Sequence, residues 1–204
     1  MAPKDGAPRS KRKRATDGDE PQKRRRSVSS DEDEGEDPKT EILLMEQGIL
    51  DSKKNYNDIA VLVDTASNYE DDTESALLAS VALCRVFIGL TAQDSLTARR
   101  GLSEREQAVV RWLKEQLSAY RAVLLELLAT EEFSETALTL CMRLLKAEGE
   151  RMSTKEDYTF PNQFLQNIVS TLLEVEDDAV RKAYMEEYAE GFDDLRYFTF
   201  KSIR

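Results

Sequence analysis

The sequence predicts an all-α protein made of stacked antiparallel helix pairs, of the HEAT or armadillo kind, preceded by a disordered charged tail. Apolar residues recur at helical spacing in segment after segment from residue 39 onward. Short polar connections separate these segments, and none has the alternating pattern of a strand. The first 38 residues contain no aromatic residue and few apolar ones. We therefore expect eight helices in residues 39–204, with an irregular helical bundle as the alternative.

The distribution of charge also changes at the boundary between residues 38 and 39. Residues 1–38 carry ten basic and ten acidic side chains, so residues 39–204 bear the whole net charge of −11. Phosphate backbones and anionic membranes repel so acidic a body, which favours proteins as its partners. Because the last predicted helix has no stop signal before Arg204, we expect residues 39–204 to be the N-terminal domain of a longer scaffold protein.

Two basic clusters in the tail are typical of a bipartite nuclear localisation signal. The second cluster begins ten residues after the first Lys-Arg pair, a separation that suits the two acidic grooves of a nuclear import adaptor. A generic basic arm that contacts RNA is the alternative, and the two roles are compatible. The basic residues are Lys11, Arg12, Lys13, Arg14, Lys23, Arg24, Arg25 and Arg26.

An acidic block with three candidate phosphorylation sites follows the second basic cluster. Ser29 and Ser30 each have an acidic residue three positions on, which suits an acid-directed kinase, and Ser27 follows three arginines. Phosphate groups here would deepen the negative block. Adjacent blocks of opposite charge are frequent in nucleolar proteins, which we take as supporting context.

Several classes of function are excluded by the residues that the chain lacks. It has no histidine and no cysteine cluster, which rules out zinc sites and histidine-based catalysis. It has no phosphate-binding loop and no nucleophile beside a base, so we predict no enzyme activity and no cofactor. The N-terminus is no secretory signal, and no window approaches the ~20 apolar residues of a membrane helix. Cys84 and Cys141 lie in apolar runs, which predicts buried free thiols in a reducing compartment.

The first three helices are predicted at residues 39–50, 57–66 and 72–90. The first two are short and amphipathic, and Gly48 weakens the end of the first. The third is apolar nearly all round, with Arg85 as its one charge after the first turn, so it should be the central helix of its layer. The apolar positions of the first two helices are Ile42, Leu43, Met45, Ile49, Leu50, Ile59, Leu62, Val63 and Ala66.

The longest helix is predicted at about residues 104–129. Ser103 and Glu106 form a capping box at its start. Its apolar positions step by three and four, but the run is too short for a coiled coil, so we expect an intramolecular helix pair. These positions are Val109, Leu113, Leu117, Tyr120, Leu124 and Leu127.

Four more helices are predicted after residue 133. One covers residues 134–149, the next begins at Pro161, a third is capped by Asp177 or Asp178 and ended by Gly191, and the last is capped by Asp193 or Asp194. Their expected inward positions are Ala137, Leu138, Leu140, Cys141, Leu144, Leu145, Phe164, Leu165, Ile168, Val169, Leu172, Leu173, Val180, Tyr184 and Tyr188.

One ordered set of motifs lies between Tyr158 and Phe200, where nine of the fifteen aromatic residues are found. It consists of Glu-Gly at 148–149, Tyr-Thr-Phe-Pro at 158–161, an apolar helix, Tyr188, and Asp-Asp-Leu-Arg-Tyr at 193–197. In this order the motifs resemble the N-terminal region of the nucleolar complex protein 4 family. The resemblance is best from about Ala147 to Ile203, and the order of helices agrees back to about Lys39.

The resemblance implies a helical-repeat scaffold of the nucleus and nucleolus. Proteins of that family join the small-subunit processome and serve pre-rRNA processing and the maturation and export of the small ribosomal subunit. Their partners are other assembly factors, above all nucleolar protein 14, engaged through a C-terminal domain of the CCAAT-binding-factor type. These residues hold no counterpart of that domain, so we expect a fragment. Two alternatives remain: a helical-repeat nuclear transport adaptor, and a protein that binds RNA through its basic arm.

The motif residues have ordinary structural roles as well. Asp193 and Asp194 are expected to cap a helix rather than hold a metal, and Arg196 can pair with Asp193. Taken singly, Tyr197 and Phe198 are more often core than contact residues. We expect them, with Phe200, to cover either a C-terminal domain or a neighbouring assembly factor. The motif and candidate partner surface are Tyr158, Phe160, Pro161, Asp193, Asp194, Arg196, Tyr197, Phe198 and Phe200.

Overall fold

The computed structural model describes residues 37–152 and 160–203, and these residues form eight α-helices and no strand. Contacts divide the chain into Met1–Glu34, which lies outside the described residues, and a compact unit of Gly35–Arg204. The helices are α1 (Pro38–Asp51), α2 (Asp58–Ser67), α3 (Thr73–Ala92), α4 (Glu104–Leu128), α5 (Ser134–Met152), α6 (Asn162–Glu174), α7 (Asp178–Tyr184) and α8 (Asp193–Ser202), with a 3-10 helix (Lys53–Asn55) before α2 and a π-helical turn (Met185–Ala189) after α7.

The helices pack in chain order. Each helix from α1 to α6 contacts both the next helix along the chain and the second one along, as α1 does with α2 and α3. This contact pattern is typical of stacked helix pairs, because each pair buries its apolar face against the pairs before and after it. The predicted all-α fold of stacked helix pairs is confirmed.

Helix α3 is the central helix, as predicted. It contacts α1, α2, α4 and α5, and more than half of its residues are buried. The prediction that no stretch has the composition of a membrane helix is wrong here, because Thr73–Ala92 has 20 residues and contains an 18-residue window with a mean hydropathy of 1.9. Of its most apolar window, 61% is buried inside the protein. The apolar surface of α3 is therefore explained by packing against four neighbouring helices.

Side-chain caps fix the starts of α4 and α7. The Ser103 hydroxyl accepts a hydrogen bond from the Glu106 N–H at 3.3 Å, and the Glu106 carboxylate accepts one from the Ser103 N–H at 2.9 Å. The predicted capping box is thus confirmed. Asp177 caps α7 by accepting a bond from the Ala179 N–H at 2.8 Å. Helix α6 begins at Asn162, one residue later than predicted, and Pro161 is its N-cap.

The buried positions follow the predicted apolar stripes, with exceptions at the edges of the array. Val109 of α4 is 41% exposed and Leu173 of α6 is 56% exposed, although both were expected to point inward. Leu43 and Leu50 of α1 are exposed as well. The helical period identifies the apolar side of each helix but not how fully a neighbour covers it. Leu50, for example, is partly covered because its Cδ2 lies against Gly89 of α3.

The two cysteines are buried free thiols, as predicted. The Cys84 thiol lies 3.8 Å from the carbonyl oxygen of Leu140, so it joins α3 to α5. Burial raises the pKa of both cysteines above the ordinary value. Neither thiol is therefore expected to react as a thiolate near neutral pH.

Asp94 ties the connection after α3 to the end of α5. Its backbone has a φ of 60°, in the left-handed region that aspartate tolerates better than most residues. Its carboxylate forms ion pairs with Arg99 and Arg151. The hydrogen bond from Arg151, and then the charges of both arginines, hold the pKa of Asp94 below its usual range. The Arg99 side chain is thus held by an ion pair at the surface, with 60% of it exposed.

Candidate protein-interaction surface

A buried hydroxyl pair fixes the C-terminal end of the array. Helix α8 packs against α6 and against the π-helical turn that extends α7. The hydroxyls of Tyr184 and Thr199 lie 2.6 Å apart in the interior. Because the Thr199 hydroxyl donates to the Leu195 carbonyl at 2.6 Å, the Tyr184 hydroxyl is the donor to Thr199. Burial raises the pKa of Tyr184, although the bond to Thr199 opposes this.

Two aromatic rings hold the segment before α6 against α8. The rings of Phe160 and Phe198 are stacked, with centroids 4.3 Å apart and an interplanar angle of 9°. The rings of Tyr197 and Phe198 are nearly perpendicular, with centroids 5.1 Å apart, and the Lys201 ammonium lies 5.6 Å from the centroid of the Phe198 ring. The structure thus brings together two residues that lie far apart in the sequence motif. Phe198 is half-buried, while its neighbour Tyr197 is exposed.

Helix α8 leaves large apolar side chains uncovered on its outer side. Tyr197 is 63% exposed and Phe200 is 60% exposed, and Phe192 and Ile203 are exposed as well. Tyr197, Phe200 and Ile203 are three residues apart, so they share one side of the helix. We call these four residues the C-terminal apolar face. Aromatic side chains grouped in this way are characteristic of the core of a protein interface.

The two aspartates at the start of α8 do not cap it, contrary to the prediction. The N-cap is Phe192, which has extended backbone, and Asp193 and Asp194 occupy the first helical turn. Asp193 forms the expected ion pair with Arg196, and the Asp194 carboxylate accepts a bond from the Leu195 N–H at 2.8 Å. Their charges still stabilise the helix start through its dipole. The described residues contain no group of three or more acidic or cysteine side chains that could hold a metal.

An ion pair inside the array was not predicted. Arg121 of α4 pairs with the mostly buried Glu148 of α5, and its guanidinium lies 4.7 Å from the centroid of the Phe164 ring on α6. Burial raises the pKa of Glu148, and the charge and hydrogen bond of Arg121 oppose this. The position could have been found, because Glu148 continues the buried stripe of Cys141, Leu144 and Leu145 by one turn. Three consecutive helices are joined by these three side chains.

Two grooves open on the described surface. One of about 690 Å³ lies between the α4–α5 and α6–α7 connections. Its carboxylates belong to Glu131, Glu174, Glu176, Asp177 and Asp178. The other, of about 350 Å³, lies between the 3-10 helix and the start of α4 and is lined by Lys53, Lys54 and Trp112 among others.

Several predicted site residues lie outside the part of the chain that the structure describes. They stay predictions from the sequence. These residues are Tyr158, the nuclear localisation clusters (Lys11, Arg12, Lys13, Arg14, Lys23, Arg24, Arg25, Arg26) and the candidate phosphorylation sites (Ser27, Ser29, Ser30).

Comparison with known proteins adds to this geometry. The family model described as nucleolar complex protein 4-like, TPR repeats, matches residues 30–204. The chain belongs to the nucleolar complex protein 4-like family. The resemblance that the aromatic motifs indicated is therefore confirmed, and the match covers every described helix. TPR repeats are, like HEAT and armadillo repeats, stacks of helix pairs.

Curated relatives of the family agree with this assignment. An uncharacterized protein of Schizosaccharomyces pombe is 30% identical over 166 residues, which cover 78% of this chain and 34% of that protein. Nucleolar complex protein 4 homolog A of Xenopus laevis is 27% identical, over 74% of this chain and 31% of that protein. Nucleolar complex protein 4 homolog of Danio rerio is 25% identical, over 76% and 32%. The chain thus spans about a third of the length of these relatives. No solved structure matches.

Proposed function

We propose that this chain is a non-catalytic scaffold in the assembly of the small ribosomal subunit. It acts in the nucleolus as a component of the small-subunit processome and serves pre-rRNA processing and the maturation and export of the subunit. Membership of the nucleolar complex protein 4-like family supports this proposal, as do the nucleolar names of the relatives. Residues 39–204 are, on this proposal, the N-terminal domain of a longer scaffold.

The observation that carries the proposal is the C-terminal apolar face. A scaffold acts by burying its helix faces against other proteins, and exposed aromatic residues such as Tyr197 and Phe200 are the side chains that such contacts use most. The net charge of −11 opposes broad contact of the body with RNA. We therefore assign this face to another protein component of the small-subunit precursor. Nucleolar protein 14 is a further proposed partner, mainly through the family's C-terminal domain.

Affinity purification tests the proposal. The tagged chain, its Y197S/F200S variant and a V61S control are expressed in cells, and the bound proteins and RNA are identified. Val61 is exposed and apolar but lies on α2, at the other end of the array. We expect small-subunit assembly factors with the wild type and with V61S, and their loss with Y197S/F200S. Recovery of no small-subunit factor by the wild type would contradict the ribosomal role, and equal recovery by all three would contradict the role of the face.

The basic arm favours a second candidate, direct binding of pre-ribosomal RNA. Ten of the first 26 residues are basic. Binding through this arm would weaken steeply with salt, because each phosphate contact releases a counterion. RNA affinity is measured against salt for the full chain and for a chain without residues 1–26. Salt-sensitive binding confined to the full chain supports this candidate, and no binding by either chain contradicts it.

A further inference from the structure

The groove between the 3-10 helix and the start of α4 has an apolar lining. Tyr56, Val109 and Trp112 line it, and the cavity measures about 350 Å³. Trp112 is the one tryptophan of the chain, and it is half-buried against the core. Val109 and Trp112 are three residues apart on α4, so they present one continuous apolar surface. The part of the α4 stripe that no helix covers therefore forms one wall of a groove.

The charged residues of this groove are cations. Lys53 and Lys54 line it, both are exposed, and neither has a carboxylate within ion-pair distance among the described residues. The pKa of Glu106 is lowered mainly by two hydrogen bonds from Ser103, which hold the carboxylate in the capping box. The charge of Lys53 lowers this pKa by a smaller amount, so Lys53 lies near Glu106. Two unpaired lysines beside exposed apolar surface stand out on a chain with a net charge of −11. Their charge selects an acidic ligand.

The size and charge of the groove together define one kind of ligand. We propose that it binds a short acidic segment of another protein, which inserts one apolar side chain against Val109 and Trp112 and places carboxylates beside Lys53 and Lys54. The volume lies at the lower end of the range for ligand pockets, which suits one or two side chains rather than a folded domain. This inference does not depend on the proposed function.

A protein segment fits this groove better than RNA does. Single-stranded RNA needs a positively charged channel that follows its backbone over several nucleotides. Here the positive charge is limited to two adjacent lysines, and the Glu106 carboxylate lies near Lys53. One anchored side chain with carboxylates beside it requires no longer track of positive charge.

Trp112 supplies a direct measurement of binding, because no other tryptophan contributes to the fluorescence. The full chain is titrated with a short synthetic peptide in which one phenylalanine is flanked by aspartates and glutamates. Two further probes are the same peptide with serine in place of phenylalanine, and an oligouridine RNA. We expect a saturable change in tryptophan emission with the first peptide only, and weaker binding when salt rises from about 0.1 M to about 1 M.

Three variants separate the parts of the groove. K53E/K54E should weaken peptide binding about tenfold, while K114E/K146E, which makes the same charge change at exposed lysines outside the groove, should leave it unchanged. V109R fills the groove without removing positive charge, so it should abolish peptide binding. All five substituted positions are exposed, and circular dichroism checks the fold. No emission change with the phenylalanine peptide, equal change with the serine peptide, or a saturable change with RNA that K53E/K54E abolishes would each overturn the proposal.

Discussion

The ring of Phe160 lies almost parallel to the ring of Phe198, with the centroids 4.3 Å apart, and this stack joins the segment before α6 to α8. Aromatic pairs of this kind contribute about 1 kcal/mol beyond the area that they bury. A double-mutant cycle of F160A and F198A should therefore give a coupling energy of about 1 kcal/mol in urea unfolding. A matched cycle of F160A with F192A should be additive, since Phe192 is exposed at the N-cap of α8 while the stack on Phe160 is formed by Phe198. Additivity in the first cycle would contradict the stack.

The buried Glu148 should make stability depend on pH. Burial raises its pKa in the folded protein above the ordinary 4.5, so between these two values the folded state holds a proton that the unfolded state has lost. This contribution to the free energy of unfolding is full below about 4.5 and is lost as the pH rises through the folded pKa. E148Q removes it, so the stability of E148Q relative to wild type should rise from pH 4 to pH 7. E150Q, at an exposed neighbour, should show no such trend; a flat difference for E148Q would refute the assignment.

The hydroxyl pair of Tyr184 and Thr199 should contribute measurably to stability. Y184F removes the donor of a buried hydrogen bond, so we expect a loss of about 1 kcal/mol in the free energy of unfolding. Y188F is the matched control, because Tyr188 is half-exposed and its hydroxyl has no hydrogen bond within the described residues. Its effect should stay within about 0.5 kcal/mol. Equal effects of the two variants would show that the buried bond adds nothing.

The capping box should stabilise the start of the longest helix. S103A deletes the side chain that accepts from the Glu106 N–H, at an expected cost of about 1 kcal/mol. S118A makes the same substitution at an exposed position in the middle of α4, where alanine has the better helix propensity. Chemical denaturation should therefore show opposite signs for the two variants. If S103A left the free energy of unfolding unchanged, the cap would add nothing to stability beyond what water supplies to the same N–H.

The second basic cluster of the tail should direct nuclear import. Residues 1–38 are fused to a cytosolic reporter too large to diffuse through nuclear pores, and its location is imaged. K23A/R24A/R25A/R26A should return the reporter to the cytoplasm, because an import adaptor reads both clusters through acidic grooves. Replacement of the four acidic residues at 31–34 by alanine should leave import intact. A wild-type fusion that stays cytoplasmic would contradict the signal.

The helical period predicted most of the fold because burial leaves a regular mark on the sequence. It correctly predicted that Leu113 and Leu117 are buried. The pattern of Ser103 and Glu106 correctly predicted the start of α4. It failed at Val109, since a period identifies the apolar side of a helix but not whether a neighbour covers it. The stack of Phe160 on Phe198 depends on the fold of the 37 residues between them, which no local pattern encodes.

The sequence prediction overlooked the membrane-like composition of α3, although it placed this helix correctly at the centre of its layer. A length of 20 residues and an 18-residue window with a mean hydropathy of 1.9 describe the helix without its surroundings. An apolar helix of this kind is stable either in lipid or among four neighbouring helices, and its composition alone does not distinguish these two environments. The contacts of α3 with α1, α2, α4 and α5 show that packing inside the protein is the solution here.

Packing in chain order has a consequence for how the protein is made. Nearly every contact of a helix is with one of the two before it or the two after it, so a helix needs only earlier neighbours in order to find its place. Loops closed in this way are short, and their entropic cost is low. The array can therefore form from its first helix onward while synthesis continues. Of the eight described helices, α8 packs mainly on α6 and the π-helical turn, so it should be among the first to detach when this array unfolds.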